Sequence, residues 1–148
     1  MTDFKQKIEQ ISLADFPFQI SQDTQYADVD IQGHVNNLVL ARYYENARAR
    51  FQLRMFGEAF FSPGATHKVA VVQSSYYYYS ELRFPQTVQV ATGLNHIGNS
   101  SFRTLQAIYL EDRCVGACEA ALVFMRNGKP ISIPGKYRQA MRINQVAF

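Results

Sequence analysis

An α+β fold, in which a curved antiparallel sheet wraps around one long central helix, is predicted by three observations on this 148-residue sequence. One amphipathic run follows a polar motif in the first third of the chain. Beyond it, four segments rich in β-branched and aromatic residues follow one another. The turns between these segments are short enough to join antiparallel neighbours. A sheet of this kind buries one face against the helix, which makes one domain with one core.

One long helix is predicted between an N-cap at Asn36 or Asn37 and a stop at Gly57. Apolar side chains recur at the spacing of one helix face, at Leu40, Tyr44, Ala47, Phe51 and Met55. The opposite side carries mostly Arg42, Glu45, Asn46, Ala49 and Gln52. A segment of about five turns suits a helix that packs in the concavity of a sheet.

The remaining elements are predicted to be strands, apart from a loosely held start over residues 1–15. The first strand is expected at residues 16–21, and the others at residues 67–82, 86–96, 100–112 and 114–126. Side chains alternate along a strand, so Tyr76 to Tyr79 are expected to point to the two faces in turn, with the inward pair in the core. Cys114 and Cys118 lie ~13 Å apart along one strand, too far for a disulfide, and are expected to be small buried hydrophobes.

Composition and charge argue against several classes of protein. The chain is 47% hydrophobic and 18% charged, as soluble globular domains usually are, and we place no domain boundary within residues 1–148. Its 15 basic and 12 acidic residues are scattered and not clustered, which argues against a nucleic-acid partner. No apolar run reaches the roughly 18 residues that span a membrane, and the start lacks a secretory signal. We therefore expect a cytoplasmic location and no membrane partner.

A dense polar motif, YADVDIQGHVNN at residues 26–37, precedes the helix. A helix N-terminus offers free backbone N–H groups and a partial positive charge, so it is suited to polarise a carbonyl oxygen. Gly33 permits a sharp turn close to a ligand. A carboxylate of Asp28 or Asp30 that faces the same carbonyl is suited to act as general base or nucleophile. Because the two aspartates alternate in an extended segment, at most one of them faces the site. This is the arrangement needed for hydrolysis of an acyl group.

Metal sites are less well supported by the same motif. The segment begins like a calcium loop, but the twelfth position from Asp28 is Val39, where a bidentate glutamate is required. His67 and His96 share no local spacing with His34, which argues against a metal site built from His34 and the two aspartates. By spacing alone, His34 is more typical of a hydrogen-bonded turn residue than of a catalyst.

The residues DVDIQGHVNNLVLARYYENAR, at 28–48, resemble the Asp-x-Asp-x-x-Gly-His-Val-Asn-Asn signature of the hotdog-fold acyl-CoA thioesterases. Within that family they are similar to the branch of 4-hydroxybenzoyl-CoA thioesterase. HIGNSS at 96–101 resembles the family's Gly-x-Ser-Ser turn, and NGKPISIP at 127–134 resembles its late segment. The resemblance covers residues 17–135 and is specific for the fold and the branch, much less for the substrate.

The resemblance implies a role for each residue that matches the motif. Asp30 is then the catalytic carboxylate, as base or nucleophile, and Asn37 offers its backbone N–H to the thioester carbonyl. His34 is a supporting catalytic residue, while Gly33, Val35 and Asn36 contribute to substrate binding. No metal or cofactor is implied beyond the CoA of the substrate. Family members act as homodimers or homotetramers with the site at the subunit interface, so strands of a neighbouring subunit are expected to line it.

The function implied is hydrolysis of an acyl-CoA to a free carboxylic acid and CoA. Two departures, Leu40 where many members have tyrosine and Asn46 where glutamate is common, weaken any expectation of an aromatic substrate. One alternative is a hydratase or dehydratase of acyl thioesters that uses His34 with Glu45, but such enzymes follow the histidine with a different turn. Another is a non-catalytic acyl-CoA-binding protein. The sequence leaves open the length of the acyl chain, and whether that chain is carried as a thioester of CoA or of a carrier protein.

Overall fold

A curved antiparallel sheet wraps around one long helix, as predicted. The computed structural model describes residues 2–148. The elements follow in the order α1 (Thr2–Glu9), β1 (Phe18–Asp23), α2 (Asn37–Phe56), β2 (His67–Tyr78), β3 (Thr87–Ile97), β4 (Ser101–Leu110), β5 (Arg113–Arg126), β6 (Lys129–Pro130) and α3 (Gly135–Arg142). The five long strands fall where the sequence predicts them. No helix among the described residues is long and apolar enough to cross a membrane.

The strands are arranged in the order β1–β3–β4–β5–β2, and β6 pairs with β5. Every pair of neighbouring strands is antiparallel, and β2 runs beside β5 from His67 opposite Arg126 to Tyr78 opposite Gly116. This order leaves β1 and β2 at the edges of the sheet. On β2, Val71, Val72 and Tyr78 are exposed, with Val72 at 63%. The β2 edge is therefore a long strand with apolar side chains in solvent.

Helix α2 lies against the inner face of the sheet. Asn36 is its N-cap and Gly57 its C-cap, as predicted. Tyr44, Ala47, Phe51 and Met55 are buried, again as predicted. The expectation that Gln52 lies on the opposite side of the helix is wrong, because Gln52 is buried. The curved sheet covers more of the helix circumference than a flat sheet would.

Arg48 of α2 is also buried, at 1% exposed. Its Nη1 lies 3.3 Å from Oε1 of Gln106 on β4, and its Nη2 contacts the carboxylate of Glu45. Gln106 in turn donates to the carbonyl of Tyr44 and to Oγ1 of Thr92, over 2.9 and 3.0 Å. Hydrogen bonds of this kind offset the cost of burying polar side chains between a helix and a sheet.

The outer face of the sheet is covered by residues near the start of the chain, which corrects the expectation of a loosely held start over residues 2–15, residue 1 lying outside the described residues. Helix α1 places Ile8, which is fully buried, against Leu105 and Ala107 of β4. The ring of Phe4 stacks on Tyr77 with centroids 4.1 Å apart. Local reasoning missed α1 because the helix is short and its apolar face has few members, so its stability comes from packing on the sheet.

A second unpredicted helix, α3, closes the end of the core. Its Met141 is fully buried in the cluster that contains Phe51 and Phe102. The segment after α3 then bonds to β3, since Leu94 N–H donates to the Asn144 carbonyl and Val146 N–H to the Leu94 carbonyl. The sequence predicted only one helix, so both α1 and α3 correct that expectation.

The alternation of the tyrosines is confirmed. Tyr76 points inward, with its ring centroid 6.0 Å from that of Tyr44, while Tyr77 and Tyr79 pack in the outer cluster beneath α1. Tyr78 shares the inner side but is half exposed, so Tyr76 alone provides the inward packing. Cys114 and Cys118 are both free thiols, and only Cys118 is fully buried.

Candidate active site

The polar motif folds into a tight loop whose two arms pair with each other. Val29 and Val35 form an antiparallel bridge. On either side of it, Asn36 N–H donates to the Asp28 carbonyl over 3.0 Å, and Asp30 N–H donates to the His34 carbonyl over 2.9 Å. The turn at the tip needs Gly33, which has a φ of 83°. This loop brings the aspartates beside the start of α2.

Asp30 is half-buried within this loop, and one of its carboxylate oxygens is engaged. Oδ1 accepts hydrogen bonds from the backbone N–H groups of Gln32, at 2.9 Å, and His34, at 3.4 Å. The other oxygen, Oδ2, has no hydrogen-bond partner among residues 2–148. The carboxylate is thus fixed in orientation while one oxygen stays available to a water molecule or a substrate carbon.

The N-terminus of α2 presents one free backbone donor. The Asn36 side chain accepts from Leu38 N–H over 2.8 Å, and its carbonyl accepts from Val39 and Leu40 N–H over 3.0 and 3.1 Å. Within the described part of the chain, the N–H of Asn37 has no acceptor, and Asn37 is exposed. The helix start therefore offers the Asn37 N–H, with the partial positive charge of the helix behind it, to an external oxygen.

Asp28 faces away from Asp30 and into the protein, so only one of the two aspartates is available. It is 4% exposed, and its Oδ2 accepts from the Tyr43 hydroxyl at 2.5 Å and from Gln25 N–H at 2.9 Å. Arg42 Nη2 lies 3.4 Å from Oδ1. Burial, reinforced by this carboxylate, raises the pKa of the Tyr43 hydroxyl far above its ordinary value. A polar cavity of about 330 Å³ borders the cluster.

His34 and Val35 are held by a distant part of the chain. Nε2 of His34 lies 2.8 Å from Oε2 of Glu81, in the connection after β2. Val35 is buried in the core, and its N–H donates to the Leu82 carbonyl over 2.8 Å. Glu81 was missed by sequence reasoning because no local spacing links it to the motif. Glu45, the other member of the alternative pair with His34, contacts Arg48.

Outside this loop we looked for a metal-binding group and for a further cavity. No group of three or more His, Cys, Asp and Glu side chains within residues 2–148 is placed to hold a metal ion. A cavity of about 440 Å³ opens at the far end of α2, lined by Phe56, Phe60, His67 and Tyr137 among others. Because α2 has 20 residues, this cavity lies roughly 30 Å from the helix start.

Solved structures share this architecture, and one curated protein is similar in sequence. The PA5185 protein from Pseudomonas aeruginosa strain PAO1 matches with a TM-score of 0.82 at 25% identity, covering 93% of this chain and 98% of that one. A thioesterase from Thermus thermophilus, crystallised with coenzyme A and Zn, matches with a TM-score of 0.77 at 25% identity, over 88% and 96% of the two chains. A protein of Aquifex aeolicus (strain VF5), named as a candidate esterase, is 25% identical over 127 residues, which are 85% of this chain and 98% of that protein.

A curved antiparallel sheet around a central helix, with a polar loop at the helix start, defines a protein of the hotdog class, as predicted. The model of the Thioesterase-like superfamily matches residues 24–141, a range that includes the whole of the loop and of α2. The chain belongs to that superfamily. The predicted enzyme class, a thioester hydrolase, is confirmed by this membership.

Proposed function

We propose that the protein hydrolyses an acyl-CoA thioester to a free carboxylic acid and CoA. The observation that carries the proposal is the pairing of a carboxylate with a free donor. Asp30 keeps one oxygen open, and the unbonded N–H of Asn37 starts α2 beside it. Together they supply what acyl transfer needs, namely a base or nucleophile and a donor for the developing oxyanion.

In the proposed reaction, the thioester carbonyl oxygen accepts the Asn37 N–H. Asp30 then either removes a proton from a water molecule that attacks the carbonyl carbon, or attacks that carbon itself to form an anhydride that water hydrolyses. In both routes the C–S bond breaks, the thiolate of CoA leaves and takes up a proton, and the acyl group leaves as a carboxylic acid. No metal or cofactor takes part besides the CoA of the substrate.

The other motif residues have supporting roles in this proposal. Gly33 shapes the turn between Asp30 and the helix. Asn36 engages the Leu38 N–H, which leaves Asn37 as the free donor, and Val35 anchors the loop in the core. His34 contributes a polar ring beside the thioester. The choice of CoA is supported by the Thermus thermophilus thioesterase that was crystallised with coenzyme A.

We further propose that the protein acts as a homodimer or homotetramer. Asn37 and Leu38 at the start of α2 are exposed, so an acyl group bound there is shielded from water only if another chain covers it. The β2 edge, with Val71, Val72 and Tyr78 in solvent, offers an unpaired strand for a second copy. Sedimentation of the purified protein tests this, and a monomer at micromolar concentration would contradict it.

The first experiment measures thiol release from a panel of acyl-CoAs, short to long and aliphatic to aromatic. Asp30→Asn keeps an oxygen for the Gln32 N–H but removes the charge, so we expect turnover to fall by about a hundredfold or more with folding intact. Asp112→Asn, on an exposed turn, is the matched control. Near-wild-type turnover in Asp30→Asn would contradict the mechanism.

A second experiment separates the two routes. Repeated turnover in ¹⁸O-water followed by mass spectrometry of the Asp30 peptide detects a nucleophile, because hydrolysis of the anhydride places label in the carboxylate. That label arises when water attacks the Asp30 carbonyl of the anhydride. Label in the product alone fits both the general-base route and attack of water on the acyl carbonyl of the anhydride, and mass spectrometry of the intact protein after a rapidly quenched single turnover then decides, because only the nucleophile route adds the mass of the acyl group.

A further inference from the structure

The connection between β2 and β3, residues 79–86, holds the polar loop at both of its ends. At the entry to the loop, Thr24 donates its backbone N–H to the Gln86 carbonyl over 2.8 Å and its hydroxyl to the Arg83 carbonyl over 2.9 Å. At the exit, the carbonyl of the buried Leu82 accepts the Val35 N–H. The connection is therefore fixed relative to the loop by main-chain bonds.

Glu81 sits in this connection and reaches His34. Its Oε2 lies 2.8 Å from Nε2 of His34, and Arg83 Nη2 lies 3.7 Å from the same oxygen. The side chains of Glu81 and Arg83 are mostly exposed, whereas that of His34 is largely covered. Glu81 is held by its own backbone neighbours, so its carboxylate approaches His34 from a fixed point of the chain, unlike the partners of most surface ion pairs.

His34 in turn is bonded to Asp30 through the backbone in both directions. Its carbonyl accepts the Asp30 N–H over 2.9 Å, and its own N–H lies 3.4 Å from Asp30 Oδ1. The imidazole therefore starts from a backbone that is fixed to the carboxylate of the site. A neutral imidazole carries one N–H, and the partner of one ring nitrogen decides which nitrogen carries it.

We infer that Glu81 is a positioning residue of this site, which fixes the orientation and the tautomer of His34. A carboxylate oxygen 2.8 Å from Nε2 favours the proton of the neutral ring on that nitrogen, which leaves Nδ1 unprotonated and ready to accept a hydrogen bond from water or substrate. A carboxylate that fixes a histidine through one nitrogen in this way controls what the other nitrogen does. The kinetic part of this inference rests on the proposed thioesterase function, whereas the tautomer does not.

The structural part is tested by NMR of the imidazole ¹⁵N nuclei, with His34 assigned by comparison with His34→Gln. In its neutral form, wild-type His34 is expected to carry its proton on Nε2. Glu81→Ala should shift the ring to a mixture of both tautomers, while Glu81→Gln, whose amide oxygen takes the place of the carboxylate oxygen near Nε2, should restore the wild-type pattern. An identical tautomer in the wild type and Glu81→Ala overturns the inference.

The kinetic part compares the same variants on the best substrate of the panel. Glu81→Ala is expected to lower kcat by about tenfold with KM changed less than about twofold, because orientation and not substrate affinity is lost. Glu81→Gln should recover most of kcat, and Glu58→Ala, an exposed carboxylate elsewhere, should leave it unchanged. Unchanged kcat in Glu81→Ala overturns the positioning role even where Asp30→Asn is inactive. If the wild type hydrolyses no acyl-CoA, the proposed function fails and the NMR result still decides the tautomer.

Discussion

The hydroxyl of Tyr43 on α2 donates a hydrogen bond of 2.5 Å to the buried carboxylate of Asp28. The carbonyl of Asp28 also accepts the N–H of Asn36, the N-cap of the same helix. Asp28 is thus bonded to the N-cap residue of α2 and to the second turn of that helix. Since Asp30 follows two residues later, this pair sets the distance between the proposed catalytic carboxylate and the helix start.

Tyr43→Phe is expected to destabilise the protein and the site together. The change keeps the ring but removes the donor, which leaves Asp28 Oδ2 with the Gln25 N–H alone. The free energy of unfolding in urea should fall by about 1.5–3 kcal/mol, the usual range for a hydrogen bond to a charged group. Tyr26→Phe, at a side chain that is 82% exposed, is the control. A loss no larger than that of the control would show that the bond has no role in stability.

Much of the fold follows from local pattern, because caps and periodicity act over a few residues. Asn36 and Gly57 bound α2 as their cap chemistry predicts, and alternation correctly separates Asp28 from Asp30. The features that were missed depend on tertiary contacts. Glu81 lies in the connection between β2 and β3 and comes close to His34 only in the folded protein, and no spacing in the sequence links the two.

The burial of polar helix residues was missed for the same reason. Arg48 and Gln52 are polar by type, and their burial follows from the curvature of the sheet around α2, with Gln106 on β4 as a partner of Arg48. Helix α1 has apolar residues at the spacing of one helix face, namely Phe4 and Ile8, with Ile11 just beyond its end, but they are too few to predict a helix without the sheet beneath them. The apolar surface that α1 covers exists only when the sheet has folded.

Gly33→Ala tests whether the turn in the loop needs a glycine. No atom lies within 4 Å of a Cβ added at Gly33, so the cost comes from its φ of 83° alone. The free energy of unfolding should fall by about 1–2 kcal/mol. Because the strain is relieved by a shift of Asp30, kcat should fall as well. Gly135→Ala is a matched control, since it also has open space but lacks a positive φ. Equal stability and kcat in the two variants would contradict the prediction.

Glu45 is expected to stabilise the protein although its side chain is 65% exposed. Its carboxylate is the charge partner of Arg48, and Glu45→Ala leaves that buried guanidinium without a carboxylate partner among the described residues. We expect a loss of about 2 kcal/mol, below the 3–5 kcal/mol of fully buried pairs because solvent screens Glu45. Adding Arg48→Met removes the uncompensated charge, so the double variant should be no less stable than Glu45→Ala. Additive losses in chemical denaturation would contradict this coupling, and Glu58→Ala provides the baseline for an exposed carboxylate.

Ionisation of the Cys118 thiol is expected to lower the free energy of unfolding as the pH rises above 9. Burial raises the pKa of this thiol from 9.0 to about 11, although the nearby Arg48 opposes the shift. Between these values the folded protein keeps a proton that the unfolded chain releases. The stability that this thiol contributes is therefore fully present below pH 9 and is lost as the pH rises to about 11, with a slope of up to about 1.4 kcal/mol per pH unit.

The measurement is the free energy of unfolding in urea between pH 8 and pH 10.5 for the wild type and Cys118→Ala. At pH 8 the variant should be less stable, because it lacks the packing of a fully buried sulfur. Buried tyrosines lower the stability of both proteins as the pH rises, so they cancel in the difference. The difference between the two proteins should therefore shrink with pH as the wild type alone loses the contribution of the thiol. Parallel curves would mean that the Cys118 thiol ionises equally well in the folded and unfolded chains, which its complete burial between α2 and the sheet argues against.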